Sequence, residues 1–262
     1  MFRYFGFGSN LNITSLLAKG VKPLASRRAT LNGWRLCFNV QHFFQHEGGV
    51  GNIERSETPG DQVLGVLYDC PDEALESLDA MEAYGHGYDR ITIDVEAEGE
   101  TISAFTYVGM PEFIDNDCLP SRRYLNIVVN GAHQAGLNSD YINKLITQPV
   151  HQADDYPPFK PPTGDYPVFD ETSLAQHSGY TALYGFVFDM SEARPLHDYL
   201  KSFFGGCDMT LFHLKRLDSS DGKETMDHIW NGHLNEAQLS YLNAYLNEYA
   251  KEYRYVGRID YN

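Results

Sequence analysis

The stretch RYFGFGSNL at residues 3–11, with NITSLLAK at 12–19 directly after it, decides how the rest of the chain is read. Tyr4, Phe5 and Phe7 favour a strand, Gly8-Ser9-Asn10 stops it, and the residues that follow suit a short helix. A strand that feeds a helix through so tight a turn aims backbone N–H groups and the positive helix end at one spot. The turn is thus either an anion site or oxyanion hole, or a structural turn in which Asn10 caps the helix. GFGSNL begins as a GxGxxG fingerprint does, but Leu11 occupies the third glycine position. No acidic residue closes a second strand about 20 residues on, so dinucleotide binding is disfavoured.

Working outward, ASRRATL (25–31), WRLCFNV (34–40) and VLGVLY (63–68) read as strands, and HEGGVGN (46–52) as a glycine-rich loop. PDEALESLDAMEAYG (71–85) reads as a helix with Leu75, Leu78 and Met81 on one face and Gly85 as its stop. YDRITIDVEA (88–97) and TISAFTYV (101–108) form a strand pair, and SRRYLNIVVNGAHQAG (121–136) and SDYINKLI (139–146) are helices. Many strands with few helices predict a mixed α+β fold built on a closed or strongly curved sheet. Six of the twelve prolines crowd into residues 149–167, PVHQADDYPPFKPPTGDYP, which reads as an extended connector. The expected organisation is therefore a first domain over 1–147, a Pro-rich connector over 148–167 and an α+β accessory domain over 168–262. In that last domain ALYGFVFD (182–189), MTLFHLKRLD (209–218) and KETMDHIW (223–230) read as strands, and EARPLHDYLKSFF (192–204) as a helix. Asn235 and Gln238 start a final helix, with Leu239, Leu242 and Leu246 on one face. Tyr241, Tyr245, Tyr249 and Tyr253 form a stripe along it that suits packing against a sheet or a homodimer seam.

Composition narrows the function. The 262 residues carry 20 basic and 36 acidic side chains, a net charge of −16 that repels phosphate backbones and anionic lipid. Nucleic acid and membrane are poor partners. No apolar run approaches the roughly 20 residues that span a bilayer, and the opening lacks the pattern of a secretory leader. Four scattered cysteines make neither a disulfide framework nor a CxxC pair, which points to the reducing cytoplasm. His42 and His46 stand four apart but lack the HExxH pattern and sit among strand and loop signals, so no metal is expected.

Glu82 is the carboxylate that stands out. It ends a helix already carrying Asp72, Glu73, Glu76 and Asp79, where a further acid is ordinarily a solvated-face residue, yet Leu78, Met81, Ala83 and Tyr84 surround it. Apolar neighbours raise a carboxylate's proton affinity toward what a general base requires.

YFGFGSNL at 4–11, LDAMEAYGHGYDR at 78–90 and PSRRYLNIVVNGAHQAGLNSDYINKL at 120–145 together resemble the γ-glutamylcyclotransferase (AIG2-like) family, in order and in spacing. The resemblance covers residues 1–147 and implies a small mixed α/β barrel with a catalytic site at its mouth. It implies a small-molecule γ-glutamyl substrate and an intramolecular acyl transfer that releases 5-oxoproline and an amine or peptide, without metal or cofactor. Carried over residue by residue, it makes Glu82 the general acid/base, the turn of Phe7, Gly8, Ser9, Asn10 and Leu11 the glutamyl cradle, and Tyr124 a substrate contact, where its alternative is a core tyrosine. Two departures stand out: Phe7 replaces a family tyrosine, and Ala83 follows the glutamate where glycine is common. They leave room for a second reading, a non-catalytic γ-glutamyl-binding module whose C-terminal domain meets a protein partner.

Overall fold

The computed structural model describes residues 1–261, which fall into two compact units, Met1–Ala153 and a second beginning at Asp154. In the first unit the elements run β1 (Phe2–Gly6), α1 (Ile13–Ala18), β2 (Ala25–Asn32), β3 (Trp34–Gln41), β4 (Gly49–Arg55), β5 (Gln62–Cys70), α2 (Leu75–Met81), β6 (Tyr88–Ala97), β7 (Glu100–Gly109), α3 (Arg122–Gln134) and α4 (Ser139–Ile146).

Five strands close into a barrel in the order β1-β5-β2-β6-β7. Its neighbours pair antiparallel except at the closure, where β1 meets β7 in parallel with Tyr4 opposite Phe105. Strand β5 is paired on both sides and buried from Val63 to Tyr68, hence its unbroken apolar run. β3 and β4 form a separate hairpin, irregular between Cys37 and Val40. The segment expected as a loop at 46–52 therefore contributes the start of β4. Its glycines mark close packing: a Cβ at Gly51 would lie 2.9 Å from the Tyr124 hydroxyl.

The two-residue period of the strands divides the core. Phe5, Val63 and Leu67 join Leu31, Ile93 and Val95 in one cluster, made of strand residues and of Phe7 just past the end of β1. Tyr4, Val66, Tyr68 and Tyr107 face the other way and pack on Leu11, Leu16, Leu78, Tyr124, Leu125 and Val128 from the turn and the helices. The candidate site belongs to this second, helix-covered cluster.

The second unit comprises β8 (Val168–Phe169), α5 (Glu171–Ala175), β9 (Tyr180–Leu183), β10 (Phe186–Asp189), α6 (Asp198–Phe204), β11 (Cys207–Asp208), α7 (Thr210–Leu214), α8 (Met226–Trp230), α9 (Glu236–Glu252) and β12 (Arg254–Ile259). Its sheet runs β11-β9-β10-β12-β8. Several expectations are corrected here. ALYGFVFD is a hairpin, turning at Tyr184-Gly185, where both φ angles are positive. The expected strands at 209–218 and 223–230 contain helices of five residues each, too short to display a helical period. Within 192–204 the α-helix itself begins only at Asp198. The capping box of Asn235 and Gln238 forms, but Leu239 is exposed, and Leu242 and Leu246 carry the buried face. Tyr245, Tyr249 and Tyr253 are interior, with Tyr249 and Tyr253 bonded to His213 and His197, so most of the tyrosine stripe is spent on packing. Residues 154–167 lie against their own unit: Asn243 accepts the Phe159 N–H, and the Phe159 ring packs edge-on to Phe186.

Among the described residues no helix is long and apolar enough to cross a membrane.

Candidate functional site

Two helix ends build the site. Helix α1 stops through a Schellman arrangement: Gly20 N–H bonds the Leu17 carbonyl, Val21 N–H reaches Leu16, and Gly20 takes the left-handed φ of 77°. Lys19 is its C-cap residue and is 6% exposed. Helix α2 stops the same way: Ala83 N–H bonds the Ala80 carbonyl and Tyr84 N–H the Asp79 carbonyl. Ala83 holds the left-handed position at φ 49°, so the helix ends two residues before the expected stop at Gly85, and an alanine bears the strain that glycine relieves. Glu82 is the C-cap of α2, at the foot of that turn.

These two ends bring Lys19 and Glu82 together across 63 residues of chain. The Lys19 Nζ donates to Glu82 Oε1 at 2.7 Å and to Asn10 Oδ1 at 2.7 Å, and the Asn10 amide donates to the same Oε1 at 2.8 Å. Asn10 is fixed in turn by Tyr4, whose hydroxyl accepts from its amide, and by the Tyr68 hydroxyl, which donates to its carbonyl at 2.8 Å. The helix cap expected of Asn10 falls instead to Asn12, whose Oδ1 accepts from Thr14 and Ser15. Asn10 is thereby released to join the turn to the acid.

The carboxylate has a different environment from the one its apolar sequence neighbours suggested. An ammonium and an amide donate to it, and both favour its ionised form. Around this group stand four phenols, the buried Tyr4, Tyr107 and Tyr124 and the half-buried Tyr88. Burial pushes each above the ordinary tyrosine range, and the negative charge of Glu82 adds to the rise at all four. They remain O–H donors at any physiological pH. Asp79, expected on a solvated face, accepts from Tyr107 and pairs with Arg90 at 3.0 Å.

Tyr124 projects from α3, whose start is capped by Ser121. Its hydroxyl accepts the Gly51 N–H at 2.9 Å and lies where a Cβ on Gly8 would come within 2.8 Å, so the close approach at Gly8 needs glycine, while Ser9 also hydrogen-bonds the phenol. Gly131, one face further along α3, lets the helix backbone touch the turn: a Cβ there would sit 2.3 Å from the Asn12 nitrogen. Tyr88 closes the group by donating to the Gly51 carbonyl at 2.8 Å. Of the residues picked from sequence, Gly8, Ser9, Asn10, Glu82 and Tyr124 are thus brought to one place. The side chains of Phe7 and Leu11 are apolar packing, Phe7 in the strand cluster with its ring edge beside Gly51 and Leu11 in the helix-covered cluster with Tyr4 and Tyr124, so their contribution to the turn is through the backbone. Arg123 points away, onto Glu47 at 2.6 Å, and Arg122 is exposed. Lys19, Tyr4 and Tyr88 are additions that sequence reasoning missed.

The arrangement offers a carboxylate paired with an ammonium, an amide and a glycine-walled backbone turn side by side, which suits moving a proton near a bound anion or a developing oxyanion.

Residues 62–145 match the profile of the AIG2-like family. A γ-glutamylcyclotransferase of Mus musculus is 32% identical over 149 residues, covering 55% of this chain and 77% of the relative. A γ-glutamyl cyclotransferase of Claviceps purpurea is 29% identical over 140 residues; this match takes in 50% of the chain and 63% of that relative, less than two thirds of its length. A solved γ-glutamyl cyclotransferase structure superposes with a TM-score of 0.50 at 29% identity, over 59% of this chain and 90% of the other.

Proposed function

This chain belongs to the γ-glutamylcyclotransferase family, and from that premise we propose that it converts a γ-glutamyl compound into 5-oxoproline and a free amine or peptide, with Glu82 as the proton carrier. The neutral α-amine attacks its own γ-carbonyl carbon. As the new C–N bond forms, the amine gives a proton to Glu82, and Glu82 hands it to the departing nitrogen as the old C–N bond breaks. The proton count closes without water. Because nucleophile and electrophile share one molecule, much of the acceleration comes from holding the glutamyl chain curled, a task assigned to the turn from Gly8 to Leu11 and to Tyr124.

The observation that supports this reading most is the hydrogen bond of Asn10 to Glu82, which ties the cradle to the base at 2.8 Å. Phe7 in place of a tyrosine costs the reading little, since its ring is buried among Phe5, Trp34 and Ile53 and the turn acts through its backbone. The reducing cytoplasm is the proposed setting, consistent with four free cysteines.

The test is mass-spectrometric detection of 5-oxoproline after incubation with γ-glutamyl amino acids, γ-glutamylamines and glutathione. Product from at least one substrate is expected, and its identity names the amine. Tight binding of a nonreactive γ-glutamyl analogue with no product from any would favour the binding-module reading instead.

A further inference from the structure

Resting on the reading of Glu82 as base, we infer that Lys19 is a positioning residue for it, keeping the carboxylate ionised and turned toward the cradle. The ammonium is bonded to both halves of the site, Glu82 Oε1 and Asn10 Oδ1, at 2.7 Å each, and is almost wholly buried. A lysine is rarely buried without a charged partner, and a buried ion pair adds little net stability over an apolar replacement. Fold maintenance is therefore a poor reason for this pair.

The local electrostatics supply a better one. Glu82 caps the C-terminal end of α2, where the helix presents its partly negative carbonyl end and opposes a carboxylate charge. The groups that face Glu82 include the neutral phenols Tyr4 from β1, Tyr88 from β6, Tyr107 from β7 and Tyr124 from α3, the Asn10 amide, and Lys19 at the end of α1. Further out, Asp79 on α2 itself is matched by Arg90. Lys19 thus brings a positive charge into contact with the carboxylate, and it does so from a helix end whose own carbonyls favour a cation. A base held this way is ready at neutral pH and returns its proton readily, as a carrier must.

The experiment is the pH dependence of kcat/KM for 5-oxoproline release by the wild type, Lys19→Met, Lys19→Gln and Lys19→Arg. The acid limb should move up by about 1–3 pH units in the two uncharged variants, with lost activity recovered on raising the pH. Lys19→Arg should keep the limb near its wild-type position. Lys19→Gln serves as the second variant where Lys19→Met fails to fold. A loss by the same factor at every pH, or an unmoved limb, overturns the inference. Carboxyl carbon-13 NMR of the full chain, with Glu82→Gln to assign the resonance, follows Glu82 without turnover. If the wild type makes no product the functional reading fails, whereas a Glu82 titration unchanged by Lys19→Met refutes the role of Lys19.

Discussion

The first unit sets two glutamates against cations, and the proposed function gives them opposite roles. Glu47 is 2% exposed and its Oε2 takes the Arg123 Nε at 3.0 Å, the Arg123 Nη2 at 2.6 Å and the Ser121 hydroxyl at 3.1 Å. Burial opposes its charge, but Arg123, with His42 and His46 nearby, overrides this and holds the carboxyl far below the ordinary range. Such a group cannot carry a proton at neutral pH; it ties the start of α3 to the segment before β4. Glu82 is 13% exposed and meets the Lys19 ammonium and the Asn10 amide at one oxygen. An arginine fork immobilises a carboxylate, while a lysine and an asparagine leave it usable. In the proposed function the partner is what separates the anchor from the base.

Several experiments break or sharpen this contrast. Glu82→Gln keeps the shape and removes the proton site, so 5-oxoproline release by the folded protein should fall by about 10²–10⁴-fold; it also leaves the buried Lys19 ammonium without its carboxylate, so the melting temperature should fall as well. The same operation on the other pair, Arg123→Met, strands a buried charge: stability should fall by about 3–5 kcal/mol, or roughly 6–20 °C in melting temperature, with turnover of the folded fraction retained. Thermal unfolding and initial rates check both.

The pH dependence of stability follows from Glu47. Its folded value is depressed, so its contribution is fully present above the ordinary glutamate value of 4.5 and is lost as the pH falls below that. Urea unfolding from pH 7 to pH 3 should show a steeper loss for the wild type than for Glu47→Gln. The smallest effect belongs to the helix end beneath Glu82. Ala83→Gly relieves a left-handed alanine and should gain about 1 kcal/mol in chemical denaturation, without moving the Schellman bonds.

Much of the first unit was legible because its strands are long enough to alternate and its turn is chemically distinctive. The association of the turn, Glu82 and Tyr124 came from motif resemblance, and the fold brings these groups together. Lys19 was not legible: at a helix end it resembles any solvated lysine, and its partner lies 63 residues away. Gly49 and Gly51 misled in the other direction, since glycine signals a loop locally but here admits Phe38 and Tyr124 against a strand. In the second unit, helices of five residues such as Thr210–Leu214 are set by tertiary packing around His213 and Tyr249, which no local pattern carries.

The central claim is that Glu82 carries the proton in 5-oxoproline formation. Its most direct test is the single-turnover rate of Glu82→Gln beside Arg123→Met on the best γ-glutamyl substrate. The account predicts that Glu82→Gln folds and fails to turn over while Arg123→Met, where folded, turns over normally; a Glu82→Gln protein that forms 5-oxoproline at the wild-type rate would contradict it.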